Sequence, residues 1–263
     1  MGKLRSLTSD EILAQMFFAR KIIRQSQLPG ATNKPLPQIA NVVFMGLGEP
    51  SDNAEAVVLA THLLTERGGF QFSAAKIVVS TVGPTPQSFA LFQHAKCVLA
   101  WSVHAVDDVL RKRLVPTTQY KMTELRQGLM DALNARPLKL RTVMLEVVLL
   151  RNVNDDLQHA DQLAQFAKVI LDQVEACKLV LNLIPYNPID DNVQGGGGGI
   201  GFEKPSTERC LAFQQRLQNQ HDLYAFVRVT RGDDESAACG QLITTVQRNT
   251  KTKTKPPPAT TLA

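Results

Sequence analysis

No two of the four cysteines in this 263-residue chain (Cys97, Cys177, Cys210, Cys239) stand at the spacing of a shared metal site. That excludes the familiar zinc and iron–sulfur ligand patterns and leaves no metal ligands to name. There is no secretory signal, so reduced thiols in an intracellular compartment, cytosolic or organellar, are the expectation. No apolar run reaches the length of a bilayer span, so no membrane partner is expected. Internal repeats are absent too. Charge of one sign is only mildly in excess: the net formal charge is +5, and Lys251, Lys253 and Lys255 supply three of those charges. Such a balance permits a polyanionic partner without demanding one.

What is present is a soluble-type composition, 44% hydrophobic and 20% charged, in a chain long enough to bury a sizeable core. Strand-like and helix-like runs alternate. Thr8-Ser9-Asp10-Glu11 reads as a capping box before a helix with apolar Ile12, Leu13, Met16, Phe17 and Ile23. Buried strands are predicted at 41–46, 76–80, 97–103, 141–149, 179–184 and 225–229. Helices are predicted at 53–66, after Pro84, before 141, after the Asn154-Asp155-Asp156 cap, and at 206–217. Continuous apolar strands linked by helices indicate a parallel α/β sheet, either doubly wound or a partial (β/α) barrel. The glycine run 195–199 reads as a surface insertion, and the Thr/Lys/Pro tail beyond 249 as disordered.

In either architecture ligands gather at the C-terminal ends of the strands. There the sequence places Gly46, Gly48 and Glu49, then Ser80-Thr81, then Ser102-Val103-His104, then Asn187. Singly, each has an ordinary reading as turn chemistry or a satisfied structural histidine. Together they form a ring of glycines, a carboxylate, hydroxyls, an imidazole and an amide. Such a ring suits a zwitterionic small molecule, with Glu49 for an ammonium and Ser80, Ser102 and Asn187 for a carboxylate or ribose. After the last strand, Cys239 sits among small residues downstream of Arg231. It is either a nucleophile whose thiolate a nearby cation favours or a buried thiol in a turn. Arg111, Lys112, Arg113, Lys121, Arg126, Arg136, Lys139 and Arg141 either contact phosphates or form a solvated face.

Val43-Phe-Met-Gly-Leu-Gly-Glu-Pro50, Ser80-Thr81, Trp101-Ser-Val-His-Ala105, Arg113-Leu-Val-Pro116, Val153-Asn-Asp155, Leu183-Ile-Pro-Tyr-Asn-Pro188 and the stretch from Arg231-Gly-Asp-Asp to Ala-Ala-Cys-Gly-Gln241 occur in that order. This set closely resembles the radical S-adenosylmethionine RNA methyltransferases of the RlmN/Cfr type, over about residues 1–248. The resemblance implies a partial barrel binding S-adenosylmethionine and a 4Fe-4S cluster, and methyl transfer to carbon-2 of an adenine in ribosomal or transfer RNA. It also implies a monomer with RNA as partner. It assigns Gly48 and Glu49 to the methionine amino group and Ser80, Ser102, Val103, His104 and Asn187 to the rest of the cofactor site. Cys239 matches the cysteine that is methylated and then carries the methyl group.

The match departs from the family pattern at its start. The family holds its cluster with a Cys-x3-Cys-x2-Cys loop, which these 263 residues lack. The first barrel strand, a second functional cysteine, and an N-terminal helical domain with its general-base glutamate have no counterpart either. Residues 1–8 resemble the family segment just downstream of the third cluster cysteine. The expectation is therefore an N-terminally truncated member: an incomplete core over 1–248, a basic tail over 249–263, and no radical generated by the chain as it stands. The alternative reading is a non-catalytic derivative that binds S-adenosylmethionine or RNA.

Overall fold

The computed structural model describes residues 5–30, 34–46, 48–187 and 201–228. The glycine run, Cys239 and the tail lie outside them. Four of the described α-helices begin where the sequence supplies a side-chain acceptor for the first free N–H groups. Helix α1 (Ser9–Ser26) opens on the expected capping box: Thr8 Oγ1 accepts from Glu11 N, and Glu11 Oε2 accepts from Thr8 N at 2.9 Å. Asp107 caps α3 (Asp108–Leu114), Asp156 caps α5 (Leu157–Gln173), and Ser206 caps α6 (Thr207–Gln215). Between them lie α2 (Ala54–Thr65) and α4 (Met122–Asn134).

Among the described residues, six strands form one sheet: β1 (Val42–Phe44), β2 (Ile77–Thr81), β3 (Val98–Ser102), β4 (Thr142–Leu149), β5 (Lys178–Pro185) and β6 (Ala225–Val227). They pair in sequence order, every pair parallel. A doubly wound sheet reverses its strand order partway across, and this one does not. The unreversed winding identifies barrel-type progression, with β1 and β6 as its two ends among the described residues.

Alternation along the strands sorts side chains onto two faces. Ile77, Val79, Leu99, Trp101, Val143, Leu145, Val147, Leu181 and Leu183 face the helices, where they join Leu64, Leu125, Leu129, Phe166, Ala167 and Phe213 in the main core. The other face carries a small apolar patch of Val78, Val98 and Ala100, with Met45 and Met144 beside it. No helix residue belongs to that patch. This inner face is where a barrel-type sheet keeps room for a ligand.

Two expectations about elements are corrected. The helix predicted after Pro84 is instead a pair of 3-10 turns, Pro86–Ser88 and Ala90–Phe92. Phe89 and Phe92 are fully buried, and Phe89 meets Trp101 edge-on at 5.2 Å. Seating both rings in the core holds the segment in i,i+3 turns. In the Asn154-Asp155-Asp156 cap, only Asp156 caps the helix. Asn154 Oδ1 accepts from Leu150 N, and Asp155 Oδ1 accepts from Asn152 N.

Candidate functional site

The parallel sheet ends with its strand carbonyls and polar side chains at one rim. The residues singled out there are brought together by three links. The first is Glu49, on the turn after β1. Its two carboxylate oxygens accept from Ser51 N and from Val82 N, both at 3.0 Å, so it ties the end of β1 to the end of β2. Gly48 precedes it at φ +74 with no atom within 4 Å of where a Cβ would lie. That conformation favours glycine, and the open space lets a ligand approach the backbone.

The second link is Glu146 on β4, which the sequence reading missed. Its backbone carbonyl accepts from Val103 N (2.8 Å) and His104 N (3.2 Å), fixing the turn that follows β3. Its side chain accepts from Ser80 Oγ at 2.6 Å and from Asn182 Nδ2 at 2.9 Å. Ser80 Oγ in turn lies 3.4 Å from Ser102 Oγ. Ser102, Glu146 and Asn182 stand level across β3, β4 and β5, so alternation puts all three on the inner face. Glu146 is 3% exposed and Asn182 5%. An isolated Glu inside an apolar strand is a weak sequence signal. The only available cue was its position level with Ser102, and that depends on register.

The third link is Arg111, read from sequence as a phosphate contact or part of a solvated face. It is neither, being 1% exposed. Its Nη1 donates to the carbonyls of Ser102 (2.6 Å) and Val103 (2.8 Å), and its Nη2 to that of Val82 (2.6 Å). Burial draws its pKa down from 12.5 to about 10. Arg111 thus satisfies the carbonyls that the sheet leaves free where β2 and β3 end. Arg136 and Arg141 are corrected in the same way. Arg136, 1% exposed, donates to the carbonyls of Phe92, Ala95 and Cys97, while Arg141 donates to those of Asn134, Arg136 and Glu175. Arg126 lies over the Phe166 ring, 4.6 Å from its centroid. Lys112, Arg113, Lys121 and Lys139 are exposed.

His104 is placed at this rim, but its imidazole is committed to the fold. Nδ1 accepts from Val148 N at 3.1 Å, which fixes the proton on Nε2 in the neutral ring. Desolvation, aided by the Arg111 charge, lowers its pKa from 6.5 to about 3. The residue sits at φ +55, and its carbonyl accepts from Asn154 Nδ2 at 2.7 Å. What it offers a ligand is backbone and a neutral ring. Val103 is fully buried on the helix side, so it too contributes main chain alone. Asn187 follows β5 at the same rim, partly buried, after Tyr186 N donates to Leu149 O. Cys239 lies outside the described residues.

A cluster needs closely set thiolates. Cys97, at the start of β3, and Cys210, in α6, are buried, whereas Cys177, before β5, is partly so. Burial raises the pKa of all three, Cys177 to about 11. Among the described residues no three His, Cys, Asp or Glu side chains are grouped to hold a metal ion. An iron–sulfur cluster therefore does not fit these residues. S-adenosylmethionine does fit: an open glycine, a carboxylate with lone pairs to spare, paired hydroxyls and a buried amide oxygen on Asn182 without a partner among the described residues.

No family model matches the chain. Among curated proteins, it is 35% identical over 245 residues to the dual-specificity RNA methyltransferase RlmN of Oleidesulfovibrio alaskensis, covering 92% of this chain and 62% of that protein. It is 37% identical over 243 residues to the protein of the same name from a Marinomonas species, covering 92% and 60%. Among solved structures, it resembles a radical SAM methyltransferase from Sphaerobacter thermophilus with a TM-score of 0.72 at 34% identity, over 92% of this chain and 63% of that one. The chain thus spans 60–63% of the length of these relatives. Identity at this level, running through nearly the whole chain and joined to the same fold, makes the chain similar to RlmN and to a radical SAM methyltransferase over that part of their length.

Proposed function

We propose that this chain binds S-adenosylmethionine along the C-terminal ends of β1 to β5 and serves methylation of RNA at carbon-2 of an adenine. The observation that carries the reading is the convergence of residues from successive strands on one rim. Glu49 bridges β1 to β2, and Glu146 holds Ser80, Val103, His104 and Asn182 together. Bound S-adenosylmethionine supplies a methyl group on a sulfonium. Glu49 accepts its ammonium, since each carboxylate oxygen keeps a lone pair beyond the backbone N–H it already holds. Ser80 and Ser102 offer hydroxyls, Val103 and His104 their main chain, and Asn187 its amide. Burial holds the pKa of His104 down to about 3, so its ring stays neutral near neutral pH.

Cys239 is the proposed methyl acceptor. Its sulfur would take the methyl group of the bound sulfonium, losing the thiol proton to solvent and leaving S-adenosylhomocysteine. Adenine carbon-2 is electron-poor, so the methyl group cannot pass onward to it by simple polar displacement. The radical step that carbon-2 demands is not assigned to these 263 residues. RNA is the proposed partner of a monomeric chain, with Lys112, Arg113, Lys121 and Lys139 as exposed phosphate contacts. No described helix is long and apolar enough to cross a membrane.

A second reading, a non-catalytic derivative that binds S-adenosylmethionine or RNA, is favoured by the lack of grouped metal ligands among the described residues. One experiment separates the two. The chain is incubated with S-adenosylmethionine, binding is followed by equilibrium dialysis, and the peptide carrying Cys239 is weighed. Binding with a mass gain of one methyl group supports methyl capture. Binding without it supports the second reading, and no binding refutes both as statements about the cofactor. Anaerobic iron–sulfur reconstitution adds the check that no visible absorbance band develops.

A further inference from the structure

Glu146 and Asn182 stand directly opposite each other across the β4–β5 pair. One step earlier on the same face the pair is Met144 and Val180, so a polar pair is not a habit of these strands. Burying a carboxylate in a sheet interior is costly unless it is compensated. Glu146 receives only neutral donors, Ser80 and Asn182, and among the described residues no cation pairs with it. Asn182 donates one amide N–H to Glu146 Oε1, and its buried Oδ1 has no partner among the described residues. Flipping the amide would set its oxygen against the carboxylate and strand the nitrogen instead, so the observed orientation is the satisfied one. A buried acceptor on the ligand face, held in place by a second buried group, is arranged to receive a donor from outside the chain.

We propose that Asn182 Oδ1 accepts a hydrogen bond from the adenosine half of the bound cofactor, and that Glu146 is the residue that positions it. The inference rests on the reading of this rim as the S-adenosylmethionine site. It selects the adenosine half by distance. Glu49, which takes the ammonium, follows β1, whereas Asn182 lies on β5. The Glu49 carboxylate is held at the ends of β1 and β2, three strands from β5, so the other half of the cofactor is the one assigned to Asn182.

Binding of 5′-methylthioadenosine, which lacks the amino-acid half, tests this without any catalytic step. Analogues lacking one donor each (2′-deoxy, 3′-deoxy, and dimethylated at the exocyclic amine) are titrated calorimetrically into wild type and Asn182→Leu. Deleting one of these donors should weaken wild-type binding about tenfold and leave Asn182→Leu binding unchanged. Glu146→Gln, which puts an amide N–H where an acceptor was, should weaken the parent ligand by a similar factor. Glu49→Gln should weaken S-adenosylhomocysteine but not methylthioadenosine.

If methylthioadenosine binds wild type and no donor deletion matters, the assignment of Asn182 is overturned while the cofactor site stands. That measurement needs no variant to fold. If a donor deletion costs as much in Asn182→Leu as in wild type, the assignment falls as well. Melting temperatures lowered in Glu146→Gln with affinity intact would mean a purely structural role and overturn the positioning claim. Failure of wild type to bind any adenosine ligand would remove the site itself, and the inference with it.

Discussion

Replacing Arg111 with methionine removes a single side chain that closes the ends of two strands. The guanidinium makes three hydrogen bonds, to the carbonyls of Val82, Ser102 and Val103 at 2.6–2.8 Å. Bonds from a charged donor contribute roughly 1.5–3 kcal/mol each. Burial of the charge opposes them: a pKa drawn from 12.5 to about 10 corresponds to about 3 kcal/mol. The net loss expected for Arg111→Met is about 2–6 kcal/mol, the scale on which removing one partner of a buried charged set acts. Lysine at this position should recover only part of that, because a point charge cannot span two strand ends as a planar fork does. Urea denaturation gives the free energies, with Lys112→Met, at an exposed neighbour, as the control expected to stay within about 0.5 kcal/mol. An Arg111→Met loss below about 1 kcal/mol, the scale of a surface contact, would refute the reasoning. It would mean that water satisfies those carbonyls as well as Arg111 does.

His104 predicts a pH dependence with a definite sign. Its folded pKa is about 3 against an ordinary 6.5, so its contribution is complete above pH 6.5 and is lost as pH falls from 6.5 towards 3. The loss is at most about 1.4 kcal/mol per pH unit. His104→Asn keeps a residue that tolerates positive φ but removes the titration. The stability gap between wild type and this variant should shrink on acidification, whereas a constant gap would show that the ring does not titrate as described. At Gly83, φ is +63 and a Cβ would lie 2.6 Å from Phe89 Cζ and 2.9 Å from Trp101 Nε1. Gly83→Ala should therefore cost about 2–5 kcal/mol from backbone strain and overpacking together. Thermal melts check this, and an unchanged melting temperature would show that the Phe89–Trp101 pair yields easily.

Sequence alone determined the strands and most of the helices, and brought the polar residues of the strand ends to one rim. Capping acceptors at Thr8, Asp156 and Ser206 and apolar runs in the strands are local signals, and local signals fix helices and strands. The rule that ligands meet at strand C-termini then placed Glu49, Ser80, Ser102, His104 and Asn187 on one rim. Tertiary structure alone decided what those residues do there. The unreversed strand order chose barrel-type winding over a doubly wound sheet, and order depends on long-range pairing. Register set Ser102, Glu146 and Asn182 level on one face, so an unremarked glutamate became the hub. Burial turned Arg111 and Arg136 from phosphate candidates into staples for strand-end and loop carbonyls, because a charge in sequence does not reveal which side of the sheet it meets. The His104 imidazole, read from sequence as a site group or a satisfied structural histidine, is tied to Val148 N, a partner on another strand 44 residues away.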